Sequence, residues 1–244
     1  MLDNVISLNR TAVPQATYTN DMYRAVGGGA LGFVTLQTNL GIKWESKEAA
    51  QLSSEVFKRI LKGQIKASHK LAVEKGSYPY YEGSDWNTGE FFDKRGFVSE
   101  EWDEVRELAG KGLRNAYLSA IAPTSSNSII TNGSPSIDPL YSVIYAENKS
   151  GINVIITPPN YKLETKFYYK SGFEMDEMWA INVIAAAQKY VDQGISHNYH
   201  VSQDIKASEM LRLDLASWEK GLKTVYYTHT SQSELPENCI MCEG

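Results

Sequence analysis

The sequence predicts an α/β protein. Helical and β-rich segments alternate along the chain, no internal repeat or low-complexity block interrupts them, and 42% hydrophobic against 22% charged residues is an ordinary globular balance. At 244 residues such a chain buries roughly 70% of its unfolded surface, and one large domain is the expected arrangement.

The elements follow in order. Gly27-Gly28-Gly29-Ala30-Leu31-Gly32 formally matches the dinucleotide-binding pattern G-x-G-x-x-G. The preceding Asp21-Met22-Tyr23-Arg24-Ala25-Val26 makes a poor strand, and no acidic residue at a later strand end is placed to hold a ribose. The glycines therefore read as a turn with close helix packing. A long helix is expected over 46–75, with Ser46 as N-cap, Glu48 in the first turn and Gly76 as the stop; Ala49, Leu52, Val56, Ile60 and Leu71 are assigned to its buried face. A second helix begins at Ser99, where Glu100, Glu101, Asp103 and Glu104 suit the positive end of the helix dipole, and ends near Gly110 and Gly112. Residues 114–122 read as a largely buried strand halted by Pro123. A third helix is expected over 176–192 and a shorter strand over 195–201. The last helix, 208–220, places Leu211, Leu215 and Trp218 on one face, and 223–228 follows as a final strand.

Charge and composition exclude several functions. A net charge of −5 argues against coating nucleic acid or an anionic membrane, because both need a basic face. No run of eighteen apolar residues exists, and Met1-Leu2-Asp3-Asn4-Val5 lacks the segments of a secretory signal, so a cytoplasmic location is expected. Without such a signal the glycosylation patterns at Asn132 and Asn148 carry little weight. His69, His197, His200 and His229 are scattered, no carboxylate pair stands at metal-ligand spacing, and no metal site is expected.

Three segments can carry chemistry. Pro123-Thr124-Ser125-Ser126-Asn127-Ser128 is a hydroxyl-rich turn after a buried strand. A short helix starting within it would point N–H groups and hydroxyls at a phosphate, although the same residue types are also ordinary helix caps. Tyr226 and Tyr227 are adjacent in the last expected strand, so one ring is expected in the core and the other on another surface. Strand propensity alone explains such tyrosines; a phenol with a pKa of about 10 also stays protonated until it loses an electron and proton together. Cys239 and Cys242 are the only cysteines and lie in the last six residues. A C-x-x-C pair can close a disulfide or bind metal, but a zinc site needs two more ligands and His229 is ten residues upstream.

The order of these segments resembles the C-terminal part of the large, catalytic subunit of class I ribonucleotide reductase. The resemblance runs over nearly the whole chain. It is carried by Met1-Leu2-Asp3-Asn4-Val5-Ile6, the glycine turn, Lys75-Gly76-Ser77-Tyr78-Pro79, Leu113-Arg114-Asn115-Ala116, Ala122-Pro123-Thr124-Ser125-Ser126, Thr131-Asn132-Gly133 and Asp138-Pro139. It continues through Gln188-Lys189-Tyr190-Val191-Asp192-Gln193-Gly194-Ile195-Ser196, Gly221-Leu222-Lys223-Thr224-Val225-Tyr226-Tyr227 and the terminal C-x-x-C. Each motif is weak alone; their order and spacing are specific.

The resemblance implies a fold and roles for the matched positions. Residues 1–228 would be the C-terminal part of the family's ten-stranded α/β barrel, incomplete without the N-terminal part, and 229–244 a flexible redox tail with 231–237 as tether. Pro123, Thr124, Ser125, Ser126 and Asn127 would bind the diphosphate of a ribonucleotide. Tyr226 and Tyr227 would relay a radical from the small (beta) subunit, which carries a dimetal–tyrosyl radical cofactor that this chain does not bind. Cys239 and Cys242 would take electrons from thioredoxin or glutaredoxin and pass them to a buried disulfide. The family's thiyl-forming cysteine, its catalytic asparagine and glutamate, and its two substrate-reducing cysteines lie N-terminal to the matched region. A naturally split subunit is therefore expected, active in ribonucleoside diphosphate reduction only when an N-terminal piece and the small subunit assemble with it. An inactive remnant that only binds the reductase, and an independent dithiol oxidoreductase, are the alternatives.

Overall fold

The computed structural model describes residues 1–9, 11–149 and 152–231. In chain order the elements are α1 (Leu2–Leu8), α2 (Pro14–Tyr23), α3 (Phe33–Asn39), α4 (Lys47–Lys75), α5 (Asp85–Thr88), α6 (Glu90–Lys94), α7 (Asp103–Lys111), α8 (Ser125–Ile130), β1 (Tyr145–Lys149), β2 (Ile152–Ile156), α9 (Glu177–Gln188), β3 (Tyr199–Ser202), α10 (Ala207–Glu219) and β4 (Thr228–Ser231). By their internal contacts the described residues group into two compact units, Met1–Gly28, Phe57–Ala120 and Lys189–Gln193 in the first, and Gly29–Val56, Ile121–Gln188 and residues from Gly194 onward in the second.

The first unit packs around aromatic rings. Trp86 stacks on Phe91 at 3.7 Å between centroids, and Phe97 stacks on Trp102 at 4.0 Å and on Tyr190 at 5.4 Å. Two buried carboxylates fasten its loops. Asp3 accepts from Arg24 Nε at 2.8 Å and Arg114 Nε at 3.2 Å, which ties α1 to the chain after α2 and to the segment before the bridged residues. Burial pushes the Asp3 carboxyl up, but Arg24, Arg114 and Lys75 outweigh it and hold it below the ordinary value. Asp192 accepts from the N–H groups of Leu118 at 2.6 Å and Ser119 at 2.8 Å, taking the place of a neighbouring strand's carbonyls.

The glycine turn behaves as a close approach. Gly28 N–H donates to Leu118 O at 2.9 Å, and a Cβ at Gly28 would lie 2.7 Å from Gln64 Nε2.

The second unit contains the paired strands. β1 and β2 run antiparallel with Tyr145 opposite Ile156, and β3 and β4 run parallel with His200 opposite His229. α10 makes the crossover that a parallel pair requires. Ile181, Tyr199, Val201 and Leu213 form its buried cluster, against which Met178, Ile205, Met210 and Leu222 pack.

Several sequence expectations need correction. Residues 114–122 form no continuous strand: Ser119 bridges Gly28 and Ile121 bridges Ile195, each as a single pair, so no ladder propagates. The expected strands 195–201 and 223–228 shift to β3 and β4, because backbone pairing with register 199↔228 begins only there. α9 ends at Gln188 instead of 192, since Asp192 is drawn into the loop bonds above. α4 starts under its Ser46 cap, with Ala49 N–H donating to Ser46 Oγ at 3.2 Å, but the face it buries is Ala49, Ser53, Phe57, Leu61, Ile65 and Ser68, a stripe beside the expected one. On α10 the expected apolar face is outward: Leu211, Leu215 and Trp218 are exposed, Trp218 at 75%, while Leu213 and Ser217 face the core and Tyr199.

Candidate functional site

The hydroxyl-rich turn is held at both ends. Ile121 N–H donates to Gly194 O at 3.1 Å and Ser196 N–H to Ile121 O at 2.9 Å, which fixes the chain entering Pro123. At the far end Ser134 and Thr35 exchange two bonds, Thr35 N–H to Ser134 Oγ at 3.2 Å and Ser134 N–H to Thr35 Oγ1 at 3.1 Å. Between these anchors Thr124 takes a left-handed conformation, φ 54°, and starts α8. Its hydroxyl accepts from Ser136 N–H at 2.9 Å instead of capping the helix, so the first turn of α8 has no side-chain cap. Ser126 and Asn127 are exposed, and Pro123, Thr124 and Ser125 half-buried. A cavity of about 210 Å³ is lined by Ser128, Ile129, Gly133, Tyr145, Ile155 and Pro158 among others; none of residues 123–127 lines it.

The tyrosine pair lies just before β4. Tyr226 N–H donates to His197 O at 2.7 Å, Tyr227 N–H to Asn198 Oδ1 at 3.2 Å, and Tyr199 N–H to Tyr227 O at 2.9 Å. The two rings do not part to opposite faces as expected. They sit on one side with centroids 4.0 Å apart, both about half exposed, and Tyr226 Oη donates to Tyr227 Oη at 3.3 Å. The pair escapes strand alternation because β4 begins only at Thr228.

Behind the residues that hold the pair is a buried cluster of charge. His197 is fully buried; its Nδ1 is 2.8 Å from Asp138 Oδ1 and its Nε2 3.3 Å from Glu177 Oε1, the latter an ion-pair contact without hydrogen-bond alignment. Burial pushes the imidazole down, yet the two carboxylates, Asp138 first, overcome it and raise the pKa to about 9. Burial raises the Glu177 carboxyl, against the pull of His197. The second Asp138 oxygen accepts from Asn198 N–H at 3.0 Å and from Asn198 Nδ2 at 2.9 Å. His200 N–H donates to Glu177 Oε2 at 2.9 Å, while burial pulls the His200 imidazole down to about 4. The His200 ring lies 5.4 Å from that of His229, which in turn lies 5.3 Å from Tyr141 and 5.9 Å from Tyr227.

The structure thus brings Tyr226 and Tyr227 together with residues that sequence reasoning left as unassigned polar positions. Asp138, Glu177 and Asn198 gave no periodic signal, and His197 stood only as one of four scattered histidines; the segments of resemblance touch this group at Asp138-Pro139 and end beside it at Ser196. Cys239 and Cys242 lie outside the described residues. Among the described residues no group of three or more His, Cys, Asp or Glu is placed to hold a metal ion, and no helix is long and apolar enough to cross a membrane.

Comparison with known proteins adds to this geometry. A family model described as "Ribonucleotide reductase, barrel domain" matches residues 1–228. A ribonucleoside-diphosphate reductase subunit alpha from Treponema pallidum is 39% identical over 242 residues, covering 99% of this chain and 28% of its own length. The proteins of the same name from Helicobacter pylori and Bacillus subtilis are 33% and 27% identical, covering 99% and 94% of this chain and 32% and 36% of their own lengths. The chain spans about a third of the length of these relatives.

Proposed function

This chain belongs to the ribonucleotide reductase barrel-domain family, and we propose that it supplies the C-terminal part of the catalytic barrel of a ribonucleoside-diphosphate reductase large subunit, with 229–244 as its redox tail. In this reading it works with an N-terminal part carrying the remaining catalytic residues, with a small subunit, and in the cytoplasm, where thiols are kept reduced. The reaction is reduction of ribonucleoside diphosphates to the deoxy forms.

The observation that carries the reading is the hydroxyl-to-hydroxyl contact of Tyr226 and Tyr227. In this reading the oxidising equivalent would be supplied by a dimetal–tyrosyl radical held in the small subunit, outside this chain. When Tyr227 is the phenoxyl, Tyr226 gives it an electron and the proton already directed at Tyr227 Oη. One O–H bond breaks, one forms, and the radical rests on Tyr226 without net charge. Two phenols in contact make this step nearly isoenergetic, so it runs in both directions as a reversible relay requires. From Tyr226 the radical passes to a cysteine of the N-terminal part.

Thr124, Ser125, Ser126 and Asn127, with Pro123 fixing the entry, offer hydroxyls, an amide and backbone N–H groups to the substrate diphosphate; the uncapped first turn of α8 supports that role. Cys239 and Cys242 return electrons: one thiolate attacks the disulfide left in the N-terminal part after turnover, the second resolves the mixed disulfide, and thioredoxin or glutaredoxin reduces the resulting bond. The test is assembly. A tagged chain should co-purify with a polypeptide carrying the missing cysteines, and the pair plus the small subunit should reduce ribonucleoside diphosphates; no turnover from the three together would contradict the proposal.

A further inference from the structure

The three consecutive residues 197–199 hold three successive polar groups of the tyrosine pair: His197 O takes Tyr226 N–H, Asn198 Oδ1 takes Tyr227 N–H, and Tyr199 N–H gives to Tyr227 O. Of these, only the Asn198 contact depends on a side chain that can rotate or flip. Its orientation is set by Asp138, which accepts from both the Asn198 backbone N–H and the Asn198 Nδ2 and so leaves Oδ1 directed at Tyr227. The same carboxylate fixes the His197 ring at 2.8 Å. Glu177 closes the arrangement from the other side, 3.3 Å from His197 Nε2 and accepting from His200 N–H.

A buried charge cluster of this kind is costly to desolvate, and its bonds are directional. All of its bonds converge on 197–200, and none is needed to complete the β3–β4 ladder, which begins at Tyr199.

We propose that Asp138 is a positioning residue for the tyrosine pair, acting through Asn198 and His197: it sets the backbone of 226–227 and hence the torsions that keep the two hydroxyls in contact. The proposal rests on the radical-relay reading for its catalytic consequence, but not for its geometry. Its physical logic is that of a group that orients another group, where loss of register of about 1 Å costs on the order of a hundred-fold in rate.

Two measurements test it separately. In the full chain, 3-fluorotyrosine placed at 226 or 227 reports ring environment by fluorine NMR. Asp138→Asn and Asn198→Ala should both shift and broaden the two resonances, while a label at Tyr161 keeps its position; unchanged resonances at 226 and 227 in a folded variant overturn the proposal. In the assembled enzyme, Asn198→Ala should lower kcat by about ten- to a hundred-fold with KM for the ribonucleoside diphosphate unchanged, and Asn198→Ala with full kcat overturns the positioning role. Active Tyr226→Phe or Tyr227→Phe enzyme would instead overturn the relay on which the catalytic arm rests, leaving the fluorine arm to decide the geometry. Should Asp138→Asn fail to fold, Asn198→Ala, half-buried and uncharged, decides both arms.

Discussion

His197 Nδ1 lies 2.8 Å from Asp138 Oδ1 at a position without solvent exposure, and this carboxylate, with Glu177, overcomes burial and raises the imidazole pKa to about 9. An imidazolium held above its ordinary value of 6.5 stabilises the fold fully below about pH 6.5, and that contribution disappears as pH rises through about 9. Unfolding in urea between pH 7 and 9.5 should therefore show a fall of about 2 kcal/mol that His197→Gln removes. A parallel fall in both proteins would show that the charge on His197 is not its cause.

On the acid side the sign reverses. His200 and His229 are kept neutral by burial, His200 down to about 4. The unfolded chain takes up these protons first, so stability is lost as pH falls from about 6.5 toward 4. His200→Phe should flatten this limb in the same urea titration; an unchanged acid limb would assign it to other groups.

Asp3 holds Arg24, itself buried, in the first unit. Asp3→Ala leaves a buried guanidinium without its carboxylate, a loss of about 3–5 kcal/mol. Because the Asp3 carboxyl is held below its ordinary value, its contribution is present above about pH 3.8 and is lost as pH falls further. Thermal unfolding at pH 7 checks this; a melting temperature equal to wild type would deny the anchor.

Gly172 faces the His200 ring so closely that a Cβ there would overlap its Cγ. Gly172→Ala should displace the ring and destabilise by about 1–3 kcal/mol. Histidine side-chain NMR should show a moved His200 with His69 unchanged; an unmoved His200 would mean that the backbone yields instead.

How much of this was legible in the sequence depends on how local each signal is. Helices with caps and 3.6-residue periodicity were legible: Ser46 caps α4 as its position suggested, and the acidic turn after Ser99 leads into α7. Strands were less so, because a strand exists through its partner. Segment 114–122 has the composition of a buried strand, yet it meets its neighbours only through single bridges at Ser119 and Ile121. α10 misled differently. Its largest apolar residues, Leu211, Leu215 and Trp218, make the obvious stripe, while the core takes Leu213 and the small Ser217 because the Tyr199 hydroxyl needs a partner there at 2.7 Å. The hydroxyl-rich turn and the tyrosine pair could be named as candidates from residue type alone. That Asp138, Glu177 and His197 meet beside the pair could not be read there, since Asp138 and His197 are 59 positions apart in the chain and only folding brings them together.

The tail makes an independent prediction. Cys239→Ser in the assembled enzyme should abolish turnover driven by thioredoxin and spare turnover driven by a small dithiol that reaches the buried disulfide directly. Equal loss with both reductants would place Cys239 in the chemistry itself, not in electron delivery.

In the proposed relay Tyr226 and Tyr227 exchange a radical through their hydroxyls. The most direct measurement is single-turnover deoxynucleotide formation by the assembled enzyme carrying Tyr226→Phe or Tyr227→Phe, with substrate affinity measured alongside. Removing either hydroxyl should eliminate product while leaving the nucleotide bound as tightly as before; product at the wild-type rate from either variant would rule out the relay.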